Sequence, residues 1–429
     1  MRLHRTPITW AIYGVNGAWA AFVYLSGPVS PILSEDLGMS LAVAGLVGTA
    51  LALGISTASV TAPRAVRRLG RDLATKVGLA VLAAALVGMV LVPLVASGSL
   101  AFGLILGLVW VCATGGGTTL NASMARLSDA HPEHSAQVIT EANAAAAWVG
   151  LFSPLILGAA LGAGFGWQVG IGACLIAALA ALVGLAVADR VTARSEQDPA
   201  GGPDVVAGSS HELGVEPALE PVPGPEAEPV PPTTASPGGR LPRAFWNAMV
   251  GLFAAVATEF AINYWGSTLI QEQTGASTSS ATAAMAAVVT GLAIGRTVGS
   301  GFTLRLGPHR MLLGGFSLAL VGFGVLWTAG TVPQSVVGLF VAGLGLAPLF
   351  PLLLDRGIVL SAGHPDLALA RSSLVLGIAV ATAPFALGAL GSVMAVRTAL
   401  LLVPVIVVVG LLGVATSRPA TPERVVVGG

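Results

Sequence analysis

Charge is what this chain has least of. Of 429 residues, 9% are Asp, Glu, Lys or Arg against 55% hydrophobic, the mean hydropathy is +0.85, and Lys76 is the one lysine. Cysteine is almost absent: Cys112 and Cys174 both lie in apolar segments, which excludes a disulfide framework and a cysteine-built metal site. No Gly-Lys-Ser/Thr phosphate cradle occurs, which argues against ATP-driven chemistry within the chain. His131 and His134, with Pro132 and Glu133 beside them, suit a solvated turn better than a metal site. The acids are dispersed, with no clustered nucleophile or metal ligands, so no catalytic residue, cofactor, metal or nucleic-acid partner is expected and the chain is not read as an enzyme.

What the chain has instead is apolar stretches of about 20 residues, the length an α-helix needs to cross about 30 Å of hydrocarbon. Twelve are expected, near 8–31, 41–62, 77–96, 100–122, 137–161, 168–188, 245–269, 280–303, 311–330, 334–354, 372–392 and 397–416. The protein is therefore read as an all-α polytopic membrane protein. An even number of spans puts both termini on one side, where Lys and Arg should accumulate if that side is cytoplasmic. On this threading Arg2, Arg5, Arg64, Arg67, Arg68, Arg71, Lys76, Arg126, Arg190, Arg194 and their second-half counterparts share one face, Arg397 lies opposite, and the outer loops carry Glu35, Asp36 and Glu272. Both termini are thus expected in the cytoplasm. The first apolar stretch is not read as a cleaved signal, because no small-residue cleavage site closes it. The near-exclusive use of Arg over Lys is associated with GC-rich bacteria, and a bacterial plasma membrane is the expected location.

Residues 191–243 interrupt the hydrophobic pattern with eight acids, from Glu196 to Glu228, among many Pro and Gly. Such a stretch cannot bury enough apolar surface to offset its ordering, and is read as a disordered cytoplasmic linker. It divides a six-helix half at 1–190 from a second at 244–417, with a tail at 418–429. The halves resemble each other at an offset of about 230 residues: Gly115 to Arg126 aligns with Gly345 to Arg356, and Ser153-Pro154 with Gly158 aligns with Ala383-Pro384 with Gly388.

Two six-helix halves repeated in one orientation, and the motifs at their loops, resemble the major facilitator superfamily. The loop Pro63-Arg64-Ala65-Val66-Arg67-Arg68-Leu69-Gly70-Arg71 stands where that family has Gly, three residues, Asp-Arg, one residue, Gly-Arg. Pro63 replaces the Gly and Arg67 the Asp. Its second-half counterpart runs from Gly295-Arg296 to Leu306-Gly307 and also lacks the acid. Gly291 to Arg296, Asn121, and Glu259 with Trp265 are similar to relatives of the fucose-type proton symporters. The resemblance implies alternating access between the halves, with a solute site near the bilayer midplane, and spans 1, 4, 7 and 10 around it. It nominates Tyr13, Asn16, Thr118, Asn121, Asn263 and Trp265 as solute-binding residues, each equally open to a helix-packing role.

Three ionisable side chains fall inside apolar runs: Glu141, Glu259 and Arg296. Charges there are costly and mark polar paths or partners. Counted from the expected span ends at 1.5 Å per residue, Glu259 lies about 20 Å deep and Arg296 about 10 Å, which predicts no direct pair. Glu141 shares the depth of Arg296. The resemblance places spans 5 and 8 face to face, so Glu141 and Arg296 are expected to form an inter-half gate that pairs on the cytoplasmic side when the cavity opens outward and separates when it opens inward, the alternative being partners within their own halves. Glu259 is then the candidate for proton coupling, with polar lining or a counter-ion for a cationic solute as alternatives. The expected function is alternating-access transport of a small organic solute with a proton, by a monomer in the lipid bilayer. A non-transporting receptor or scaffold is the alternative.

Overall fold

The computed structural model describes residues 5–197 and 241–417. Among these, all regular structure is helical, as lipid requires of a chain that must satisfy every backbone N–H and C=O internally. The acidic stretch and the tail lie mostly outside the described residues. The sixth-span helix runs on to Gln197 and the next begins at Arg243, so the linker is shorter at both ends than 191–243.

Among the described residues, eleven helical stretches are long and apolar enough to cross a membrane. One of them, Leu41–Val95, has 55 residues, about 80 Å of helix where about 30 Å suffices. It is two spans, because Gly70 breaks the helix with φ 77° and ψ 167°. The twelve spans are therefore Pro7–Asp36 (span 1), Leu41–Val95 divided at Gly70 (spans 2 and 3), Gly98–Ala130 (4), Gln137–Gly162 (5), Gln168–Arg194 (6), Arg243–Thr274 (7), Thr278–Gly299 (8), Pro308–Trp327 (9), Val332–Val359 (10), Pro365–Gly391 (11) and Val396–Thr416 (12). The face on which span 1 begins and span 12 ends is here the terminal face. Side-chain oxygens cap three helices that start on the far face: Ser40 accepts from the Val43 N–H, Ser277 from Ser280 and Thr331 from Gln334.

The repeat is visible in the packing. Gly115 of span 4 lies against the Gly78 carbonyl of span 3, and Gly345 of span 10 against the Gly315 carbonyl of span 9. The second loop glycine is repeated as well: Gly307, between spans 8 and 9, has φ 79° and ψ 151°. Arg126 at the end of span 4 reaches span 6 through Asp189 at 2.8 Å, while Arg356 at the end of span 10 reaches span 12 by donating to the Ser417 carbonyl at 3.0 Å. The acid missing from the loop signature is supplied five residues later. Asp72 accepts from Arg126 at 2.6 Å and from Lys76 at 2.7 Å, and Asp189 closes the cluster on Lys76 at 2.5 Å. All four side chains belong to the first half, so this network ties spans 3, 4 and 6 together.

Between the halves, close packing concentrates on the far-face side. Gly158 of span 5 abuts Ser279 and Ala283 of span 8; its counterpart Gly388 of span 11 abuts the Leu41 carbonyl of span 2. Gly45 and Gly48 of span 2 rest on Pro384 of span 11, and Gly27 of span 1 on Asn263 of span 7. Small residues permit such backbone approach, and hydrogen bonds between the halves reinforce it: Ser26 with Tyr264 at 3.1 Å and Thr49 to the Ala381 carbonyl at 2.9 Å. Within the second half, Trp265 Nε1 donates to the Pro384 carbonyl at 3.0 Å. On the terminal-face side the halves part around a cavity of about 520 Å³.

Two outcomes follow from these backbones. Gly70→Ala and Gly307→Ala should each lower stability by about 1–3 kcal/mol, because those φ/ψ values are tolerated essentially by glycine alone; thermal unfolding in detergent measures this. A leucine at Gly158, where even a Cβ would lie 2.8 Å from the Ala283 Cβ, should wedge the far face open. A cysteine placed at Ser30, buried here, should then react several-fold faster with a membrane-impermeant thiol reagent, against a low background since Cys112 and Cys174 are buried.

Candidate functional site

The cavity between the halves is lined by Thr140 and Asn143 of span 5, Gly295, Arg296 and Gly299 of span 8, and Ala347, Pro348, Phe350, Pro351 and Leu352 of span 10. It is apolar along the span 10 side, where prolines interrupt the helix near Ala347 and Pro348. Opposite stand an amide, a hydroxyl and a guanidinium. Arg296 is the one ionised side chain in the lining.

Behind the cavity wall Arg296 faces Glu259, with 4.0 Å between Nη2 and Oε1 and side-chain exposures of 24% and 18%. Its Nη1 donates to the Tyr24 hydroxyl of span 1 at 3.4 Å. The chain Tyr24, Arg296, Glu259 thus crosses from the first half to the second. Tyr24 is held in turn by span 5, where Gly150 leaves room for its ring.

This pairing corrects the depth argument. Spans 7 and 8 are joined by the short turn between Thr274 and Thr278, and the turn sets their register. Measured from it, Glu259 is about 22 Å down one helix and Arg296 about 27 Å down the other, a difference an arginine side chain covers. Counting from the terminal-face ends failed because the two helices do not end level there: from Arg243 and Leu306 the same two residues still lie about 24 and about 15 Å deep, although their side chains face each other.

Glu141 and Arg296 do not meet in this conformation. Both oxygens of Glu141 are taken within its own half: Arg5 Nε and Nη2 donate at 2.9 and 2.8 Å, the Tyr13 hydroxyl at 2.9 Å and Gln137 at 3.0 Å. Arg5 lies just before span 1, and the carboxylate beside it holds its guanidinium above the ordinary arginine value. The segment ahead of the first span reaches into the membrane-facing end of span 5, which span boundaries alone do not reveal.

The six expected solute ligands are scattered. Trp265 is buried, with its N–H on the Pro384 carbonyl of its own half, and Asn263 is buried against Gly27 in the far-face seal. Tyr13 serves Glu141. Asn16 is buried between spans 1 and 4, where the Ser123 hydroxyl donates to it at 3.4 Å. Thr118 bonds back to the Thr114 carbonyl of its own helix, and Asn121 is exposed. The residues that sequence reasoning missed are Tyr24, Thr140 and Asn143. The last two were findable: they stand three apart on one helix face beside an alanine run, Ala144 to Ala147.

Residues 15–364 match the family model described as Major Facilitator Superfamily, and no curated protein matches. Among solved structures, an inward-open conformation of the E. coli xylose transporter XylE is similar at a TM-score of 0.71 and 12% identity, covering 97% of both chains. A D-xylose-proton symporter is similar at 0.70 and 14%, covering 97% of this chain and 98% of that one. A peptide transporter is similar at 0.68 and 12%, covering 95% and 93%. At these identities the likeness is one of fold.

The partner assignments separate by charge exchange. Arg5→Glu combined with Glu141→Arg should recover the thermal stability that each single change loses, whereas Glu141→Arg combined with Arg296→Glu should not. Melting temperatures of the four singles and two doubles in detergent measure the difference.

Proposed function

The chain belongs to the major facilitator superfamily, a family of transporters and not enzymes, and on that premise we propose that it is a proton-coupled secondary transporter of a small organic solute. It would work by alternating access as a monomer in a bacterial plasma membrane, with both termini and the acidic linker in the cytoplasm. The carrying observation is the chain Tyr24, Arg296, Glu259 set between the two halves beside an inter-half cavity. The conformation, sealed on the far face and parted on the terminal face, is then the inward-facing one.

Arg296 and Glu259 neutralise each other at a contact too long for a hydrogen bond, so neither is firmly held. A carboxylate in that setting can take a proton when solute or the opposite conformation draws Arg296 away, and release it when Arg296 returns. Glu259 is the proton carrier in this reading and Arg296 its switch. Arg5 holds Glu141 in this conformation, so the gate pair with Arg296 would form only when the terminal face closes. Thr118 and Asn121, which have no hydrogen bond to another helix among the described residues, are the remaining candidates for solute contacts from span 4, outside the lining of this cavity. An exposed amide inside a membrane helix is costly against lipid and stable against a hydrated path. The positive terminal face agrees with a cytoplasmic assignment.

Purified protein in vesicles loaded with a pH dye tests this. Among xylose, a dipeptide, benzoate and tetraphenylphosphonium, at least one solute should drive proton movement by wild-type protein. Glu259→Gln should abolish that movement and leave solute exchange across the membrane in place. Undiminished solute-driven proton movement in Glu259→Gln would remove Glu259 from the coupling role.

A further inference from the structure

A guanidinium carries five N–H donors in a rigid fork. In Arg296 one of them reaches the Tyr24 hydroxyl at 3.4 Å, and Nη2 stops 4.0 Å short of Glu259. No other acceptor engages it among the described residues. The side chain nevertheless lines the cavity, and so does Asn143, which is exposed to it and has no hydrogen-bond partner among the described residues. The largely unengaged fork of Arg296 and the Asn143 amide therefore present donors to whatever enters, a charge-assisted site for an acceptor beside an apolar wall. Glu259 stands behind Arg296 and is not part of the lining, so an entering solute meets the cation first.

We propose that the solute is a small organic anion, a carboxylate with an apolar body, whose oxygens take the Arg296 fork and the Asn143 amide while its body lies against Pro348, Phe350 and Pro351. This rests on the transport reading of the same cavity and names its substrate class. A sugar would need acceptors and donors in comparable number along the walls, and the span 10 wall offers prolines, Phe350 and aliphatics. A cationic solute would have to lie against Arg296 to reach Glu259.

The charges balance. In the empty carrier Glu259 is ionised and neutralises Arg296. When the anion takes the fork, Glu259 accepts one proton, so the loaded carrier has the same net charge and moves one proton with each anion. Groups facing Glu259 are Arg296 of span 8 and Tyr24 of span 1. Spans 10, 11 and 12, which also pack on span 7, bring no charged side chain within ion-pair distance of it among the described residues. Anion binding is therefore linked to Glu259 protonation alone, and should weaken by up to about tenfold per pH unit above its titration.

The experiment measures binding to the purified full-length protein by thermal stabilisation and calorimetry between pH 5.5 and 8.5, with acetate, lactate, benzoate and phenylpropionate each set against its uncharged amide. At least one carboxylate should bind at least tenfold tighter than its amide, and more tightly at low pH. Glu259→Gln should bind that acid tightly and equally at every pH, which a damaged fold would not do. Arg296→Gln should lose the preference for acid over amide, and Arg296→Lys should retain it in part. If no acid outbinds its amide, or if Glu259→Gln keeps the wild-type pH dependence, the proposal fails. Proton movement driven by xylose alone would overturn it and leave the transport reading intact. Acid-selective binding with no flux of any solute would support it and overturn the transport reading.

Discussion

A guanidinium in the middle of a membrane protein must be neutralised without bulk water, and that need organises the interior of this one. Arg296 faces a single carboxylate, Glu259, from the adjacent helix, and a single hydroxyl, Tyr24, from the other half. The Tyr24 contact makes the pair sensitive to the relative position of the halves: moving one half against the other changes what Arg296 touches. Had both partners come from one half, the pair would ride with it as a rigid unit and report nothing. The two charges also set a lower bound on hydration, since an ion pair stretched to 4.0 Å and exposed by about a fifth on each side is tolerable only beside a polar cavity.

The other charged clusters contrast with it and clarify its character. Arg5 with Glu141, and Asp72, Lys76, Arg126 and Asp189 together, are short, multiply bonded and confined to the first half. They act as fasteners at the terminal face, each worth little singly where solvent reaches them, but able to keep six helices moving as one body. Long, under-satisfied contacts at the centre and short, satisfied ones at the periphery are the pattern expected of two rigid halves with a responsive joint.

Much of the architecture was legible in the sequence because it rests on one-dimensional signals. Span length and the repeat at an offset of about 230 residues survive translation into three dimensions, down to Gly115 with Gly345 and Gly158 with Gly388 doing equivalent jobs. The candidate site was far less legible. Glu259 and Arg296 stand out as costly charges but are assigned separate partners when depth is counted from the terminal-face ends, because spans 7 and 8 do not end level there. The turn between Thr274 and Thr278 was the better ruler, being short enough to lock the two helices in register. Trp265 and Asn263 misled for another reason: a polar group on a core helix can serve a backbone carbonyl or a close-packed glycine as readily as a solute, and periodicity does not tell these apart.

The far-face seal sets the limit on what the central charges can do. It is built from glycines against the facing helix, with Ser26 on Tyr264 and Thr49 on the Ala381 carbonyl, contacts that are additive, short-ranged and lost together once the halves separate by an ångström or two. None of these contacts is an ion pair. Among the described residues the pair of Arg296 and Glu259 is the charged contact that also touches the other half, through Tyr24, so in the proposed coupling a proton taken by Glu259 acts on the first half by way of Arg296 and Tyr24, and the inter-half hydroxyl is as necessary to it as the carboxylate itself.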